Sequence, residues 1–551
     1  MLETLKERLL RQADALLKEP TTEFRIVGPR MLERAQQVFA RVASLALAYR
    51  LIQRPKYAER AKQELFAVRE YPHWNPSHFL DTAELCTAFA IGLDWLHDAL
   101  SESEHGALQE TLVEKGLVPG LEAQEKPEWW VRVTHNWNLV CNGGQAIGAI
   151  AVADAQPELA SRILAHAVKN IPIALDGFAP DGAWEGGPHY WEYSAWSSAL
   201  TIDALQTALG HNFGLAECPG LDRAGLFLLH CLGSSRLYFN FADADVTALP
   251  QASLFWLGQR YRLPECVTEN HRRLQEHPNR IHAFDLVWYQ EQPVQRFEVP
   301  RGVAFKRAEI ACMRTAWNDP QAFFVATKAG SGQTDHAHLD LGVFVLDAAG
   351  VRWSSDLGPD DYDLPGYWDS EREGGRWKYY RLNNRSHSTL VLNGHLQNPL
   401  SQTAIAQTSF EGQSQSVVLD LGPAYSDDAS AVRRGICLTL EVGVLVQDEV
   451  AWLPEAKQHE LRWQLTTDAG IALQGNTAIL SKEGRILQAR ILTPANAVFQ
   501  VAPTVAGPSD QPNPGFRQLI VTTHDAAPEI RVAVLLSLAP AEAEVVPLAL
   551  W

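Results

Sequence analysis

The sequence has its densest cluster of polar side chains at residues 334–340, which read Thr-Asp-His-Ala-His-Leu-Asp. In a strand-like segment the side chains of His336 and His338 point to the same side, because successive side chains alternate. A hairpin after this segment brings Asp356 to the same end as His338, and a strand opening at His387 adds another imidazole if it joins the same sheet. Two imidazoles and one carboxylate suit Zn²⁺ or a similar cation. Separate hydrogen-bonded histidines at a sheet edge are the alternative.

A second polar cluster, His135-Asn136-Trp137, stands at the start of a predicted helix. Amide and imidazole groups at a helix N-terminus can bind a carboxylate, because the exposed backbone N–H groups and the helix dipole favour negative charge there. The alternative is that Asn136 only caps the helix while Trp137 packs against it.

A third cluster lies in a Gly/Pro-rich loop that leads into a helix, residues 179–193. Tyr190 and Tyr193 fall in the first turns of that helix, where they could wall a sugar site or act as acid and base. Inert wall residues are the alternative. The same loop carries Asp181 and Glu185, a carboxylate pair that would suit a glycoside hydrolase on a helical toroid.

The net charge of the chain limits the classes of partner that it can bind. The 551 residues include 47 Lys plus Arg against 65 Asp plus Glu, a formal charge of −18, which argues against nucleic acid. An acidic substrate would need a locally basic cleft, and the candidates are Arg372, Arg376, Lys378, Arg381 and Arg385; a solvated basic loop is the alternative.

Cysteine usage and hydropathy predict the compartment. The seven cysteines are scattered, with no C-x-x-C, which is typical of buried thiols in a reducing compartment. With no signal peptide and no apolar run long enough to span a bilayer, we expect a cytoplasmic protein that uses no membrane. It would be periplasmic or secreted if a signal was removed.

Periodicity divides the chain into two halves. Up to about residue 290 apolar residues recur at helical spacing, as in 31–53, and Ser101 with Glu104 forms a capping box for a helix that stops near Gly116. Beyond about residue 298, short segments rich in β-branched residues alternate with turn residues, which is typical of stacked antiparallel sheets. We therefore predict a helical domain, 1–295, and a sheet domain, 296–551, with a ligand cleft where they meet.

Several motifs, taken in order, resemble the heparinase II/III-like polysaccharide lyase superfamily, which includes heparinases and oligoalginate lyases. They read LALAYRL, DWLHDALSESE, HNWNLVCNGG, PDGAWEGGPHYWEY, DHAHLDLGVFVLDAAGVRWSSDLG and NNRSHSTLVLNG. The resemblance implies an α+β multidomain protein, with an N-terminal incomplete (α/α) toroid followed by a C-terminal antiparallel β-sandwich. It also implies a lyase that cleaves a uronic-acid polysaccharide, glycosaminoglycan or alginate-like, by β-elimination. A non-catalytic polysaccharide-binding protein is the remaining alternative.

The resemblance also assigns roles to residues of this chain. Asn136 would neutralise the substrate carboxylate with help from His135, Tyr190 would be the catalytic tyrosine, and His336 the catalytic histidine. The implied ligands of a structural divalent metal, Zn²⁺ by preference, are His338, Asp356 and His387. Contacts to the acidic polysaccharide or oligosaccharide are expected from Trp137, Glu185, Arg381 and Arg385. Some alginate-acting members have Asn-Asn-His where this chain has His135-Asn136-Trp137, and Tyr193, one helical turn from Tyr190, could take its role.

Overall fold

The computed structural model describes residues 1–291, 297–456, 458–524 and 527–551. The chain forms two compact units. The helical unit comprises Met1–Gly182, Glu192–Leu226 and Leu249–Val294, and the sheet unit comprises Ala183–Trp191, Phe227–Ala248 and Gln295–Trp551. The predicted boundary between residues 295 and 296 lies outside the described residues and stays a prediction. Two segments from the helical half of the chain thus belong to the sheet unit.

Thirteen α-helices lie between residues 2 and 287 of the described chain. They are α1 Leu2–Leu16, α2 Leu32–Ile52, α3 Pro55–Arg69, α4 Phe79–Trp95, α5 Glu102–Leu112, α6 Val118–Glu125, α7 Asn136–Ala151, α8 Pro157–Leu175, α9 Gly187–Leu209, α10 Ala224–Cys231, α11 Ala252–Tyr261, α12 Pro264–Glu276 and α13 Phe284–Val287. None of them, over the described ranges, is long and apolar enough to cross a membrane.

Local sequence signals explain where α5 begins but not where it ends. The predicted capping box is present, with Ser101 accepting from the Glu104 backbone and Glu104 accepting from the Ser101 backbone. The predicted stop near Gly116 is wrong, because the helix widens into a π-turn at Val113–Leu117 and continues as α6. A Cβ at Gly116 would lie 2.5 Å from Cys86 Sγ. The glycine therefore permits close helix packing and does not end the helix.

Seventeen strands follow, over the described part of the chain. They are β1 Gly302–Phe305, β2 Ile310–Arg314, β3 Phe324–Lys328, β4 Phe344–Ala348, β5 Val351–Ser354, β6 Leu390–Leu392, β7 Ala404–Ser409, β8 Ser414–Asp420, β9 Ala429–Thr439, β10 Gly443–Trp452, β11 Glu460–Thr467, β12 Gly470–Gln474, β13 Thr477–Lys482, β14 Arg485–Thr493, β15 Gln500–Pro503, β16 Arg517–His524 and β17 Glu529–Ser537.

These strands form three antiparallel sheets around one core. Their orders are β1-β2-β3-β4-β5, β12-β13-β14-β17-β10-β9-β8-β7, and β15-β16-β11-β6. One cluster of buried side chains draws on all three sheets, for example Trp353, Val446 and Trp463. Sheets that bury their apolar faces against each other in this way are the basis of a β-sandwich. The predicted fold class, α+β with helices first and antiparallel sheets second, is confirmed.

Candidate active site

One buried carboxylate, Asp243, holds the histidine that the resemblance marks as catalytic. Asp243 Oδ2 lies 2.8 Å from His336 Nδ1, and Oδ1 lies 2.8 Å from His338 Nε2. Tyr367 donates its hydroxyl to Oδ1 at 2.7 Å, and Arg376 Nη2 donates to both oxygens at 3.1 and 3.2 Å. Burial acts to raise the pKa of Asp243, but the two histidines and the Arg376 charge outweigh it and hold that pKa well below its usual range. Asp243 is therefore an anion that orients two imidazoles.

His336 reaches Asp243 from a turn and not from the strand that the sequence predicts. Residues 334–343 form turns and loop, and β4 begins only at Phe344. His336 has a φ of 63°, a left-handed conformation that costs a non-glycine residue about 1–3 kcal/mol. Arg376 supports the turn by donating to the His336 carbonyl at 3.2 Å. The expected common strand face is wrong, and the two imidazoles converge because they bind the same carboxylate.

The ring of Tyr190 stacks on the His336 imidazole. Their centroids are 3.7 Å apart and their planes differ by 16°. The Tyr190 and Tyr362 hydroxyl oxygens lie 2.7 Å apart, and the Tyr362 ring lies 6.0 Å from His336. Burial, with the nearby Asp243 charge, raises the pKa of both phenols. Two neutral phenols therefore border the imidazole near neutral pH.

A glycine in the loop before Tyr190 brings the chain to this position. Gly187 has a φ of 84°, and a Cβ there would come within 2.5 Å of the Phe241 carbonyl oxygen. The start of α9 thus lies against the segment that carries Asp243, inside the sheet unit. Contact with that segment, and not helix periodicity, places Tyr190 beside His336.

Tyr193 has a different partner, in the helical unit. Its hydroxyl donates to Glu84 Oε1 at 2.8 Å. Burial and the Glu84 charge raise the pKa of Tyr193 well above its usual range, and burial raises the pKa of Glu84. Of the two tyrosines that the sequence left open, Tyr190 therefore lies against an imidazole and Tyr193 against a buried carboxyl group.

His338, Asp356 and His387 form the predicted cation cluster. One ligand atom from each lies within 4.8 Å of the others, and all three residues are buried. His387 Nδ1 lies 2.7 Å from Asp356 Oδ2. The remaining nitrogens, His338 Nδ1 and His387 Nε2, are buried with no hydrogen-bond partner among the described residues. Unpaired buried imidazole nitrogens beside a carboxylate fit a divalent cation, so the predicted convergence is confirmed.

The cluster converges by a route that the sequence did not predict. The hairpin of β4 and β5 is antiparallel as expected, and Asp356 follows β5 closely. The strand after His387, however, is β6, which pairs with β11 in the four-stranded sheet. His387 therefore does not join the sheet of the hairpin. Ser354 donates to Ser388 at 2.9 Å, and this contact between segments of two sheets brings His387 to Asp356.

In the helical unit, Asn136 is the first residue of α7 and His135 occupies the cap position. Neither side chain makes a capping hydrogen bond, so the interpretation of Asn136 as the helix cap is wrong. Asn136 is buried, and its Oδ1 has no hydrogen-bond partner in the described part of the chain. Asn138 Nδ2 supports the preceding loop by donating to the Val131 and Val133 carbonyls. An unpaired buried amide oxygen is an acceptor that a hydrogen-bond donor of a ligand can satisfy.

The expected sugar contacts already have protein neighbours. Trp137 packs against Trp129, with ring centroids 4.6 Å apart. Glu185 lies 3.8 Å from Arg307 Nε, and burial raises the pKa of Glu185. Arg381 donates to Asn513 Oδ1 at 2.9 Å and to two loop carbonyls, and Arg385 donates to the Gly394 carbonyl at 2.9 Å. Their roles in sugar binding stay predictions.

The arginine-rich segment does not behave as one surface. Arg376 is buried against Asp243, and Arg372 reaches Asp427 Oδ2 at 2.5 Å. The charge of Arg376 therefore stabilises Asp243 within the site, which neither the basic-cleft nor the solvated-loop interpretation predicts.

Sequence reasoning missed Asp243 and Tyr362. Asp243 lies in the stretch Phe-Asn-Phe-Ala-Asp-Ala-Asp, residues 239–245, which contains no helix or strand. Its only signal is a pair of carboxylates in an apolar stretch. Tyr362 lies in the acidic segment 360–373, where no periodicity marks it.

The sheet region is similar to a known protein family, and the fold of the chain is similar to solved structures. Residues 300–534 match the family model described as Heparinase II/III-like, C-terminal. No curated protein matches the chain. Among solved structures, a heparinase III is 12% identical with a TM-score of 0.68, covering 98% of this chain and 92% of that one. The heparinase III BT4657 gene product is 14% identical with a TM-score of 0.66, covering 98% of this chain and 85% of that one.

A third structure is a mutant of the heparan sulfate lyase HepC from Pedobacter heparinus. It is 13% identical with a TM-score of 0.66, covering 97% of this chain and 84% of that one. At these identities the likeness is one of fold. Residues 300–534 are thus similar to the heparinase II/III-like C-terminal family, and the fold of the chain is similar to that of the heparinase III structures, as its motifs predict.

Proposed function

We propose that this protein is a polysaccharide lyase that cleaves a uronic-acid-containing glycosaminoglycan by β-elimination. The observation that carries the proposal is the stack of Tyr190 on His336, with His336 held by Asp243. It puts a neutral phenol and an oriented imidazole side by side, which are the acid and base that elimination needs. Similar structures named as heparinases and a heparan sulfate lyase favour a glycosaminoglycan over alginate.

The reaction removes the proton on C5 of the uronate and expels the oxygen on C4, so that a C4–C5 double bond forms. The difficulty is that the ionised carboxylate on C5 makes that proton weakly acidic. Hydrogen-bond donors at the carboxylate offset the charge that develops there. We assign this to Asn136 with help from His135, at the N-terminus of α7.

His336 is the candidate base. Because Asp243 is held as an anion, it favours the tautomer in which His336 Nδ1–H donates to it, and this leaves the lone pair on Nε2. Tyr190, kept neutral by burial, is the candidate acid for the leaving oxygen. Each group would contribute about 10²–10⁴-fold in rate. For the uronate epimer whose C5 proton faces the phenol, Tyr190 would serve both steps: it would first give up its own proton, then take the C5 proton as a phenolate and pass it to the leaving oxygen.

His338, Asp356 and His387 would hold a divalent cation, for which Zn²⁺ is our preference from the ligand types. When bound, the cation would supply a positive charge that ties the turn carrying His336 to Asp356 and His387, and so keeps that imidazole in place.

The test is a panel of heparan sulfate, heparin, hyaluronan, chondroitin sulfate and alginate, followed by near-ultraviolet absorbance. A lyase creates a double bond conjugated to the carboxylate, so absorbance rises with heparan sulfate or another glycosaminoglycan. New reducing ends without absorbance would instead support hydrolysis by Asp181 and Glu185, and binding with neither signal would support a non-catalytic protein. A cytoplasmic location stays a prediction.

The two uronate epimers provide a second test. On substrates rich in glucuronate or in iduronate, Tyr190→Phe should lose activity on both, whereas His336→Ala should lose it chiefly on the epimer that needs the imidazole as base. Equal losses in both variants on both substrates would contradict this division of roles.

A further inference from the structure

Two tryptophans differ from all the others in their exposure. Of the 17 tryptophans, every one of which lies in the described ranges, only Trp129 and Trp368 are exposed, at 55% and 52%. Tryptophan is the largest apolar side chain, and burying its surface is worth more than for any other residue. Each of these two exposed rings lies beside residues to which the proposed function assigns a role.

Trp368 lies in the sheet unit, against the proposed base. Its ring centroid is 5.4 Å from His336, 4.9 Å from Tyr362 and 5.2 Å from Tyr367. The planes are steeply inclined in all three pairs, at 79°, 76° and 64°, so none of these neighbours stacks parallel on the indole. The neighbours fix the ring while half of its surface remains exposed.

Trp129 has an equivalent setting in the helical unit. It opens the short helix Trp129–Arg132, shortly before His135 and the start of α7 at Asn136. Its ring lies 4.6 Å from Trp137, at 49°, and 6.2 Å from His135, at 36°. Asn138 anchors this short helix by donating to the Val131 carbonyl at 3.2 Å. This indole, too, is supported on one side and exposed on the other.

The charge of the chain segment that carries Trp368 indicates what kind of contact this residue makes. The segment 360–373 carries six carboxylates and one arginine, a net charge of 1 − 6 = −5. An anionic polymer gains no Coulomb attraction from such a segment. An uncharged contact, such as the C–H face of a pyranose ring against an indole, can hold the polymer there despite the charge.

We propose that Trp129 and Trp368 are binding platforms, each holding one pyranose ring of an acidic polysaccharide against its indole face. The inference rests on the proposed function, because that function supplies the polymer. It adds two substrate-binding residues, one in each unit.

Steady-state kinetics on heparan sulfate test the platforms. Trp129→Ala and Trp368→Ala should each raise KM about tenfold, as the loss of one aromatic contact implies. Trp129→Phe and Trp368→Phe should keep KM close to the wild-type value, because an aromatic ring remains. The control is Phe213→Ala, which removes a ring that is 44% exposed and contacts His211. It should leave KM unchanged. An unchanged KM in both tryptophan-to-alanine variants would overturn the proposal.

Fluorescence separates this inference from the lyase proposal. Acrylamide quenches exposed tryptophans, so heparan sulfate should protect the wild-type protein from quenching and should not protect the Trp129→Phe/Trp368→Phe double variant. If that protection is seen while no unsaturated product forms, the platforms stand and the lyase proposal fails. If product forms but protection is equal in both proteins, the platforms fail and the lyase proposal stands.

Discussion

His336 and His338 each bind the Asp243 carboxylate through one ring nitrogen. The regions around them differ in the groups that lie near the other ring nitrogen. His338 Nδ1 is buried beside Asp356 and His387, and the His338 side chain is 0% exposed. His336 Nε2 lies 3.5 Å from Asp335 Oδ2, whose side chain is 38% exposed, and the imidazole face is covered by Tyr190. One nitrogen thus faces other ligand atoms, and the other lies at the edge of the site.

This difference shows that residue type and spacing do not by themselves assign a role to a histidine. Burial lowers the pKa of His338, which keeps that imidazole neutral, as a metal ligand must be. His336 lies between the Tyr190 phenol and the Asp243 carboxylate, and such neighbours are typical of a histidine that transfers protons. Asp243 links the two regions, so its removal should disturb both.

The largest effect is expected from Asp243→Asn. The substitution leaves the Arg376 charge buried without its partner, which should lower the free energy of unfolding by about 3–5 kcal/mol. Turnover should also fall at least about 10³-fold, because the variant loses the orientation of the proposed base. Urea unfolding and initial rates measure the two effects. Asp335→Asn, at a more exposed carboxylate, is the control for stability and should change it by less than about 0.5 kcal/mol.

Tyr190→Phe acts only on the His336 side of the comparison. Turnover should fall about 10²–10⁴-fold while the metal content stays at the wild-type level, because the variant removes the proposed acid alone. Tyr193→Phe is the matched control. It should keep turnover within about threefold and lose about 1–3 kcal/mol of stability, since the buried Glu84 loses its donor. The opposite pattern of rates would transfer the role to Tyr193.

His387→Ala acts only on the His338 side. Metal analysis of the purified wild-type protein should find a divalent cation, and the variant should lose it because two ligands do not hold such an ion well. The loss of turnover should be smaller than in Tyr190→Phe. His395→Ala, at a largely exposed histidine paired with Asp428, should retain the metal. Undiminished metal in the His387 variant would remove His387 from the ligand set.

The smallest effect concerns the pH dependence of stability. The pKa of Asp243 is lower in the folded chain than its unfolded value near 3.8, so its contribution to stability is complete above that value. The contribution is lost as pH falls through the folded pKa. The difference in unfolding free energy between wild type and Asp243→Asn should therefore narrow as pH falls below about 4. A difference that does not narrow below about pH 4 would show that the Asp243 pKa is not lowered.

The sequence by itself determined the features that depend on neighbours along the chain. The α5 capping box and the β4–β5 hairpin follow from residues a few positions apart. The change from helical to alternating patterns likewise identified the fold class. Spacing also identified the three residues of the cation cluster, whereas the roles of the other candidate residues stay predictions.

Only the tertiary structure decided which of those residues lie together. Asp243 is 93 residues from His336, and Tyr190 is 172 residues from Tyr362, so no periodicity could connect them. The structure also placed Tyr190 and Tyr193 in different units, although they lie one turn apart on α9. Contacts between distant segments depend on packing and on the pairing of buried charges. A local pattern contains neither.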